Sequence, residues 1–311
     1  KALGKNLITL SPGTVNLEIE GGKKLSGTIE TNTSKNGAVG LLCAALLNTG
    51  KTTLKRMPRI EEVYRLVEVL ESIGVIIHWT GDEMVIQPPK KFNLKNIDVE
   101  AARKTRSIVM FIGPLLHQLS QFSLPQSGGC KLGSRTVQPH FYALEHFGVD
   151  IKTTEDAFVV KTKAKQPSEI ILYESGDTVT ENALMAAALS PGKTVIKYVS
   201  ANYMVQEMCA FLMACGVTIE GIGTTTLTVT GVKKINQPIT YTLAEDPTDS
   251  MFFLAAAAVT NSSITITRCP INFLELELLK LEKMGFKYKI IKEYKAKNGK
   301  SDLVDIKTYP S

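Results

Sequence analysis

A glycine-rich loop near the middle of the chain holds a cysteine beside two basic residues. The loop reads Pro125-Gln-Ser-Gly128-Gly129-Cys130-Lys131-Leu-Gly133-Ser-Arg135. Cationic neighbours favour the thiolate, which is the nucleophilic form of cysteine. Most free cysteines are small buried hydrophobes, and Cys43, Cys209 and Cys215 lie in apolar helical stretches of that kind. The loop therefore makes Cys130 a candidate for chemistry and leaves a purely structural role open.

A second candidate lies at the predicted start of a helix, in the segment Thr31-Asn-Thr-Ser34-Lys35-Asn36-Gly37. A serine in front of a helix caps it, and the free N–H groups of the first turn attract anions. Lys35 and Asn36 could hold a phosphate or a carboxylate there. A capped helix with an exposed lysine is the alternative.

Two further segments stand before predicted helices. In Arg103-Lys-Thr-Arg106 a guanidinium group could bind phosphate in a bidentate manner. In Ala244-Glu245-Asp246-Pro-Thr-Asp249-Ser250 an acidic side chain could orient a sugar hydroxyl, or it could simply cap the helix. Neither segment is specific alone.

An internal repeat must position these candidates. Each copy has an Ala- and Leu-rich helix, a short polar turn and a β-branched strand. Three copies begin at Asn36, Glu181 and Ser250, and a looser one begins at Arg106. Each is followed by a second amphipathic helix that ends in glycine and leads into another strand. These glycines are Gly74, Gly148, Gly216 and Gly285, about 70 residues apart. The pattern predicts an α/β protein of about four βαβαββ-like units, rather than unrelated helices that happen to end in glycine.

Composition limits the remaining classes of function. The chain has 311 residues, of which 44% are hydrophobic and 21% charged, with a net charge of +6. The most apolar stretch, residues 251–259, is too short to span a membrane and predicts a buried helix. Five cysteines without a CxxC pair and no apolar leader favour reduced thiols in the cytoplasm. The basic residues are scattered, which predicts no nucleic acid partner. The histidines lack the spacing of metal ligands, which predicts no metal. We expect no membrane partner either.

The quoted segments together resemble the enolpyruvyl transferase family. Ser34-Lys35-Asn36 combined with the Cys130 loop is similar to the branch acting on UDP-N-acetylglucosamine, because the branch acting on shikimate 3-phosphate lacks the cysteine loop. The similarity runs from about Leu25 to the end of the chain and includes Thr180-Glu181-Asn182.

The resemblance implies an inside-out α/β barrel of βαβαββ-type repeats in two domains, with substrates in the cleft between them. Residues 35–243 would form a first three-repeat domain, and residues 1–34 with 244–311 an incomplete second one. It assigns Cys130 and Lys35 to catalysis, with Cys130 delivering a proton or forming a covalent adduct and reacting with fosfomycin-type epoxides. The implied substrate-binding residues are Asn36, Arg106, Arg135, Thr136, Val137, Gln138, Thr180 and Asp246.

The implied reaction opens peptidoglycan precursor synthesis. The sugar 3′-hydroxyl adds to C2 of phosphoenolpyruvate while C3 is protonated, and phosphate then leaves to give the enol ether. The implied partners are UDP-N-acetylglucosamine and phosphoenolpyruvate, with no cofactor. The oligomeric state is left undecided.

The chain departs from the family pattern in three places. Residues 136–139 read Thr-Val-Gln-Pro where Pro-Val-Asp-Leu is more common, Ala201-Asn-Tyr replaces Arg-Glu-Pro, and Pro247 replaces an arginine. The last residues, 307–311, stop before the family's aspartate-bearing segment, so we expect the chain as given to be inactive or to lack a C-terminal third.

Three other functions are left to weigh against this one. A non-catalytic sugar-nucleotide-binding homologue and a transferase acting on shikimate 3-phosphate remain alternatives. An RNA 3′-phosphate cyclase-like protein is disfavoured, because no histidine follows His146.

Overall fold

The computed structural model describes residues 20–126, 136–163 and 167–310. Within these ranges the helices are α1 (Lys35–Ala44), α2 (Glu61–Ser72), α3 (Val99–Arg103), α4 (Ile112–Leu115), α5 (Gln138–Glu145), α6 (Asp177–Ala188), α7 (Tyr203–Ala214), α8 (Pro247–Val259) and α9 (Glu275–Lys283). Short 3₁₀ helices cover Ala45–Leu47, Leu94–Asn96, Arg106–Phe111 and Ile271–Phe273.

The strands alternate with these helices along the chain. They are β1 (Ser26–Glu30), β2 (Thr52–Lys55), β3 (Ile76–Thr80), β4 (Glu83–Gln87), β5 (Gln121–Pro125), β6 (Val149–Thr153), β7 (Ala157–Thr162), β8 (Glu169–Ile171), β9 (Gly192–Lys197), β10 (Thr218–Glu220), β11 (Thr226–Gly231), β12 (Ile239–Thr242), β13 (Ser263–Pro270), β14 (Lys287–Lys295) and β15 (Asp302–Tyr309).

Three of the four described sheets share one plan. Their strand orders are β12-β2-β4-β3, β8-β9-β11-β10 and β1-β13-β15-β14. In each sheet the first two strands are parallel and the remaining pairs are antiparallel. The fourth sheet, β5-β7-β6, keeps only the antiparallel part. This common plan confirms the four-fold repeat predicted from the sequence.

The glycines that end the second helix of each repeat adopt the left-handed conformation. Their φ angles are +99° at Gly74, +79° at Gly148, +96° at Gly216 and +92° at Gly285. A residue with a Cβ is strained at such angles, so glycine lets the chain leave the helix and enter the next strand directly. The helix–glycine–strand prediction is confirmed at all four positions.

In the larger cluster the central helices lie inside and the sheets outside. Eight of the ten residues of α1 and ten of the twelve of α6 are buried, and both helices pack against α7. Strand β3, by contrast, alternates between exposed and half-buried residues, as expected for a strand with one face towards solvent. This is the inside-out arrangement expected from the sequence, although no described sheet closes into a barrel.

The buried apolar side chains form two separate clusters. The larger runs from Ala38 to Leu243 and the smaller from Leu254 to Ile306. The predicted domain limits, 35–243 and 1–34 with 244–311, stay a prediction, and this division is the observation that supports them.

The chain passes between the two clusters twice, and the two crossovers lie side by side. Thr33 and Glu245 form an antiparallel bridge. The Ser34 N–H donates to the Ala244 carbonyl at 2.9 Å, and the Asp246 N–H donates to the Asn32 carbonyl at 2.9 Å. Two segments far apart in sequence are thus joined as one short ribbon.

A buried carboxylate lies at the centre of this ribbon. Glu245 is 2% exposed, and its Oε1 accepts hydrogen bonds from Arg56, which follows β2, and from Arg268 in β13. Arg268 Nε also donates to the same oxygen at 2.9 Å, and Arg56 Nη2 reaches Glu30 at 3.0 Å. The ion pairs therefore connect both clusters to the second crossover.

Helix α8 differs from its counterparts in burial. The sequence predicts a buried helix over residues 251–259, but only four of the 13 residues of α8 are buried. Phe252 is 66% exposed and Val259 83% exposed, because α8 packs mainly on β13 rather than among other helices. The prediction of a helix is confirmed, and the prediction that it is buried is wrong for this face. Among the described residues no helix has the length and apolar character needed to cross a membrane.

Candidate functional site

A cavity of about 790 Å³ opens between the N-terminal ends of several helices of the larger cluster. Charged and polar groups dominate its wall, as expected of a site for a polar ligand. Its polar lining residues are Lys35, Asn36, Glu62, Arg106, Ser107, Thr136, His140, Glu174, Ser175, Asp177, Thr178 and Glu181.

Lys35 is the first residue of α1 and stands at the mouth of the cavity. Ser34 caps the helix, since its Oγ accepts the Gly37 N–H at 2.8 Å. The Lys35 side chain is 55% exposed, and its Nζ lies 3.8 Å from Glu62 Oε2. A capped helix N-terminus with a lysine at its edge favours an anionic ligand.

Arg106 supplies a second cation from a different repeat. It begins the 3₁₀ helix Arg106–Phe111, which Thr105 caps by accepting the Ser107 N–H at 3.1 Å. Arg106 Nη2 donates to the Thr136 carbonyl at 3.2 Å. This contact ties the guanidinium group to the segment that leads into α5.

His140, on α5, is buried in the cavity wall in its neutral form. Asn182 Nδ2 donates to His140 Nδ1 at 3.2 Å, so the ring proton is on Nε2, 3.3 Å from Thr178 Oγ1. The Asn182 amide is itself oriented, because its Oδ1 accepts the Gly113 N–H and its Nδ2 also donates to the Val109 carbonyl. Burial, together with the positive charge of Arg106, lowers the pKa of His140 to about 3. The imidazole therefore offers the cavity a neutral polar edge.

Two glutamates are buried where α1, α6 and α7 meet. Burial raises the pKa of Glu181 well above its usual range, with the charges of Asp177 and Glu207 adding to the effect. Burial also raises the pKa of Glu207 to about 7. A Cβ added to Gly40 would come within 2.7 Å of Glu181 Oε1. Gly40 therefore leaves the space that the Glu181 carboxyl group occupies in the cavity wall.

The residues at and before the start of α6 give the cavity an acidic wall with hydroxyl groups. Asp177, the first residue of α6, accepts a hydrogen bond from Ser200 Oγ at 2.5 Å and one from Asn202 Nδ2 at 3.4 Å. Glu174 and Ser175 precede it along the same wall. The cavity thus combines two cations, Lys35 and Arg106, with carboxylate and hydroxyl groups that can form hydrogen bonds to a sugar.

The structure brings together some of the predicted site residues. Lys35, Asn36, Arg106 and Thr136 line the cavity. Four others do not line it. The Gln138 N–H donates to Thr136 Oγ1, Val137 packs on the larger cluster, and Thr180 Oγ1 donates to the Gly176 carbonyl. Asp246 caps α8 and also accepts the Lys35 N–H at 3.3 Å. Cys130 and Arg135 lie outside the described residues. The roles assigned to all of these residues stay predictions.

Several cavity residues have no counterpart among the sequence candidates. Glu62, His140 and Glu181 lie in predicted helices without an assigned role, and Asp177 precedes the predicted start of one at Glu181. Their only sequence signal is a polar residue in the first turn of a helix or on an apolar face, which is also typical of caps and satisfied core groups.

Neither metal ligation nor disulfides are visible in the described parts of the chain. These residues contain no cluster of three or more His, Cys, Asp or Glu side chains arranged for a metal. The four described cysteines, Cys43, Cys209, Cys215 and Cys269, are buried and unpaired in disulfides. Burial raises the pKa of each of these thiols, so they are protonated and unreactive at neutral pH.

The sequence has many relatives. The profile of the family described as EPSP synthase (3-phosphoshikimate 1-carboxyvinyltransferase) matches residues 19–309. The chain is 33% identical to UDP-N-acetylglucosamine 1-carboxyvinyltransferase of Bradyrhizobium diazoefficiens, covering 86% of this chain and 62% of the relative. It is 32% identical to that of Nitratidesulfovibrio vulgaris strain Hildenborough, covering 94% of this chain and 70% of the relative.

The chain thus spans between three fifths and seven tenths of the length of these curated relatives.

Solved structures show the same fold. The enolpyruvyl transferase NikO from Streptomyces tendae matches with a TM-score of 0.78 at 19% identity, over 94% of this chain and 67% of that one. EPSP synthase from Acinetobacter baumannii matches with a TM-score of 0.70 at 18% identity, over 94% and 66%. This likeness confirms the fold class expected from the sequence.

Proposed function

Since this chain belongs to the EPSP synthase family of carboxyvinyltransferases, we propose that it takes part in transfer of an enolpyruvyl group from phosphoenolpyruvate to the 3′-hydroxyl of UDP-N-acetylglucosamine. The observation that carries the proposal is the convergence of Lys35 and Arg106, from two different repeats, on one cavity with a hydroxyl-binding wall. A phosphate ester joined to a sugar needs both kinds of group.

The phosphate of phosphoenolpyruvate is assigned to the two cations, Lys35 and Arg106. Lys35 provides a point charge at the positive end of the α1 dipole, and Arg106 provides a planar guanidinium group with several donors. Together they bind the phosphate and stabilise it as it leaves. Their fixed positions mean that little reorganisation is needed during the reaction.

The sugar nucleotide is placed along the remaining wall. Asn36 is proposed to bind the amino sugar, and Arg135, Thr136, Val137 and Gln138 the uridine diphosphate. Thr180 and Asp246 act through the backbone that they hold, since neither lines the cavity. His140 and Asp177 join this set, because they offer a neutral N–H and a carboxylate to sugar hydroxyls.

The bonds change in two steps. The 3′-oxygen attacks C2 of phosphoenolpyruvate as its proton is removed, and C3 gains a proton, which gives a tetrahedral phosphate ketal. Loss of phosphate from C2 and of a proton from C3 then leaves the enol ether. Cys130 is proposed to deliver the C3 proton, or to form a covalent adduct with phosphoenolpyruvate, and to be the group that fosfomycin alkylates. The product would enter peptidoglycan precursor synthesis in the cytoplasm.

Calorimetry with each substrate tests the proposal. UDP-N-acetylglucosamine should bind the unmodified chain, and phosphoenolpyruvate should bind in its presence. Lys35→Met should weaken phosphoenolpyruvate binding by roughly tenfold or more, the scale of one lost charge-assisted hydrogen bond. Lys55→Met is the matched control, because Lys55 pairs with Glu83 on the outer sheet. Equal loss in both variants, or no binding of the sugar nucleotide, would contradict the proposal.

A second function is favoured by one local observation. Asn202, where the family more often has glutamate, uses its side chain to cap α7 and to contact Asp177. A side chain committed to a cap contributes less to chemistry, which favours a protein that holds a sugar nucleotide without turning it over. Binding of UDP-N-acetylglucosamine without any effect of phosphoenolpyruvate would support this alternative. Tighter binding of shikimate 3-phosphate than of the sugar nucleotide would point instead to the shikimate branch.

A further inference from the structure

Glu62 joins three elements that surround the cavity. It lies in the first turn of α2, its side chain is 24% exposed, and its Oε2 forms the ion pair with Lys35 Nζ on α1. Its Oε1 accepts hydrogen bonds from two hydroxyl groups, Thr105 Oγ1 and, at 3.3 Å, Ser107 Oγ. One carboxylate thus contacts α1 and the segment that carries Arg106.

The two hydroxyls fix the direction of the carboxylate. Thr105 is almost completely buried and has its own oxygen engaged by the Ser107 N–H, so its proton points to Glu62. With Oε1 held in this way, Oε2 is the oxygen left to face Lys35. A long lysine side chain would otherwise occupy many rotamers at a half-exposed position.

We propose that Glu62 is a positioning residue that holds the Lys35 ammonium group over the cavity, in register with Arg106. The inference rests on the proposed function, since it assigns the orientation of the phosphate-binding lysine in that same site. Glu62 also places negative charge between Lys35 and α2, which disfavours the approach of a phosphate from that side.

The neighbouring residue shows that this is not a general property of acidic residues in α2. Glu61 is 64% exposed and accepts from Arg65 Nε at 2.7 Å on the outer surface of the helix. Glu61 and Glu62 therefore have the same chemistry, adjacent positions and different surroundings, which makes Glu61 a matched control.

The experiment replaces each carboxylate by the amide of the same shape. In Glu62→Gln the carbonyl oxygen can still accept from both hydroxyls, but the attraction for Lys35 is lost. Phosphoenolpyruvate binding, measured by calorimetry with UDP-N-acetylglucosamine present, should weaken by about two- to fivefold, the scale of one partly exposed ion pair. Sugar-nucleotide affinity should stay unchanged, and Glu61→Gln should leave both affinities unchanged.

A second pair of variants and a ligand-free measurement keep the result interpretable. Thr105→Val removes both the hydrogen bond to Glu62 and the cap of the helix that begins at Arg106, so it should weaken phosphoenolpyruvate binding at least as much as Glu62→Gln. Thr105→Ser keeps the hydroxyl and should bind phosphoenolpyruvate as the unmodified chain does. Without ligand, NMR relaxation of the Lys35 side chain should show greater mobility in Glu62→Gln than in Glu61→Gln.

Two results would overturn the inference. The first is unchanged or tighter phosphoenolpyruvate binding in Glu62→Gln, which would make Glu62 a competitor of the phosphate. The second is equal mobility of Lys35 in both variants. If the unmodified chain binds neither substrate, the proposed function fails, while the mobility of Lys35 still decides whether Glu62 positions it.

Discussion

Arg56 and Arg268 occupy the same position in two different repeats, and their guanidinium groups meet at one carboxylate oxygen of Glu245. Arg56 comes directly after the part of β2 that pairs with its parallel neighbour β12, and Arg268 comes directly after the part of β13 that pairs with its parallel neighbour β1. Both residues have a φ of +61°. Left-handed backbone at a residue other than glycine is uncommon. Tyr198, which follows β9, has the same left-handed conformation, with a φ of +60°. The repeat therefore supplies two arginines that approach the crossover from the two clusters.

Removing the shared carboxylate should destabilise the protein. Glu245→Gln removes the buried carboxylate that the two guanidinium groups share and leaves them only the exposed Glu30, and breaking such a buried pair costs about 3 kcal/mol. The free energy of unfolding in urea measures the loss. Glu169→Gln is the control, because the Glu169–Lys197 pair is largely exposed and is expected to contribute less than about 1 kcal/mol. Similar losses in both variants would mean that the crossover pairs contribute no more than surface pairs.

Gly37 should not tolerate a methyl group. A Cβ at this position would lie 2.0 Å from Glu207 Oε2, so Gly37→Ala must displace a buried carboxyl group. Overpacking of this kind costs about 2 kcal/mol. Gly21→Ala, where nothing lies within 4 Å of the added Cβ, should be close to neutral. Thermal and urea unfolding compare the two, and a neutral Gly37→Ala would show that Glu207 can move away.

Stability should depend on pH through Glu207. Burial raises its pKa from 4.5 to about 7, so between these values the folded protein holds a proton that the unfolded chain has lost. Its contribution to stability is therefore complete below pH 4.5 and falls as pH rises towards 7, by about 3 kcal/mol. Subtracting the unfolding free energy of Glu207→Gln from that of the unmodified protein at each pH isolates this contribution. A difference that rises with pH across the window would contradict the assignment.

Asn182 should be among the most sensitive polar residues. Asn182→Ala leaves the Gly113 N–H and His140 Nδ1 without their interior partner and takes one of two donors from the Val109 carbonyl, which should cost about 3 kcal/mol. Asn93→Ala, at an exposed position, should change stability by less than about 0.5 kcal/mol.

The tautomer of His140 can be read directly by nitrogen-15 NMR, which should show Nε2 protonated and Nδ1 unprotonated from pH 8 to pH 5. Protonation of Nδ1 within that range would mean that Asn182 does not fix the ring as described.

The helices and strands were predictable because their signals are local. Ala- and Leu-rich stretches ending in glycine, followed by β-branched residues, define each junction whatever its surroundings, and Gly74 and Gly216 behave as expected. Pairing between repeats was not predictable. The parallel contact of β1 with β13 depends on a chain crossover that no local pattern encodes.

The candidate site shows the same limit. Lys35 and Arg106 were identified because each stands before a helix with an unusual cluster of basic and capping residues. Glu62 and His140 were missed, since a glutamate in a first turn and a histidine on an apolar face acquire meaning only from Lys35, Asn182 and the other groups folded against them. Apolar composition likewise predicted α8 but not the exposure of Phe252, because burial depends on which elements pack nearby.

The pairing of β1 with β13 also has a consequence for the order of folding during synthesis. The Leu25 N–H donates to Ser262 Oγ across 237 residues. At the usual speed of translation, the first strand leaves the ribosome roughly 10 to 50 s before its partner exists. The larger cluster, whose residues follow one another without interruption by the second, can become compact in that interval. Strand β1 must meanwhile stay unpaired without capturing a wrong neighbour, so it can enter its sheet only after β13 has been made.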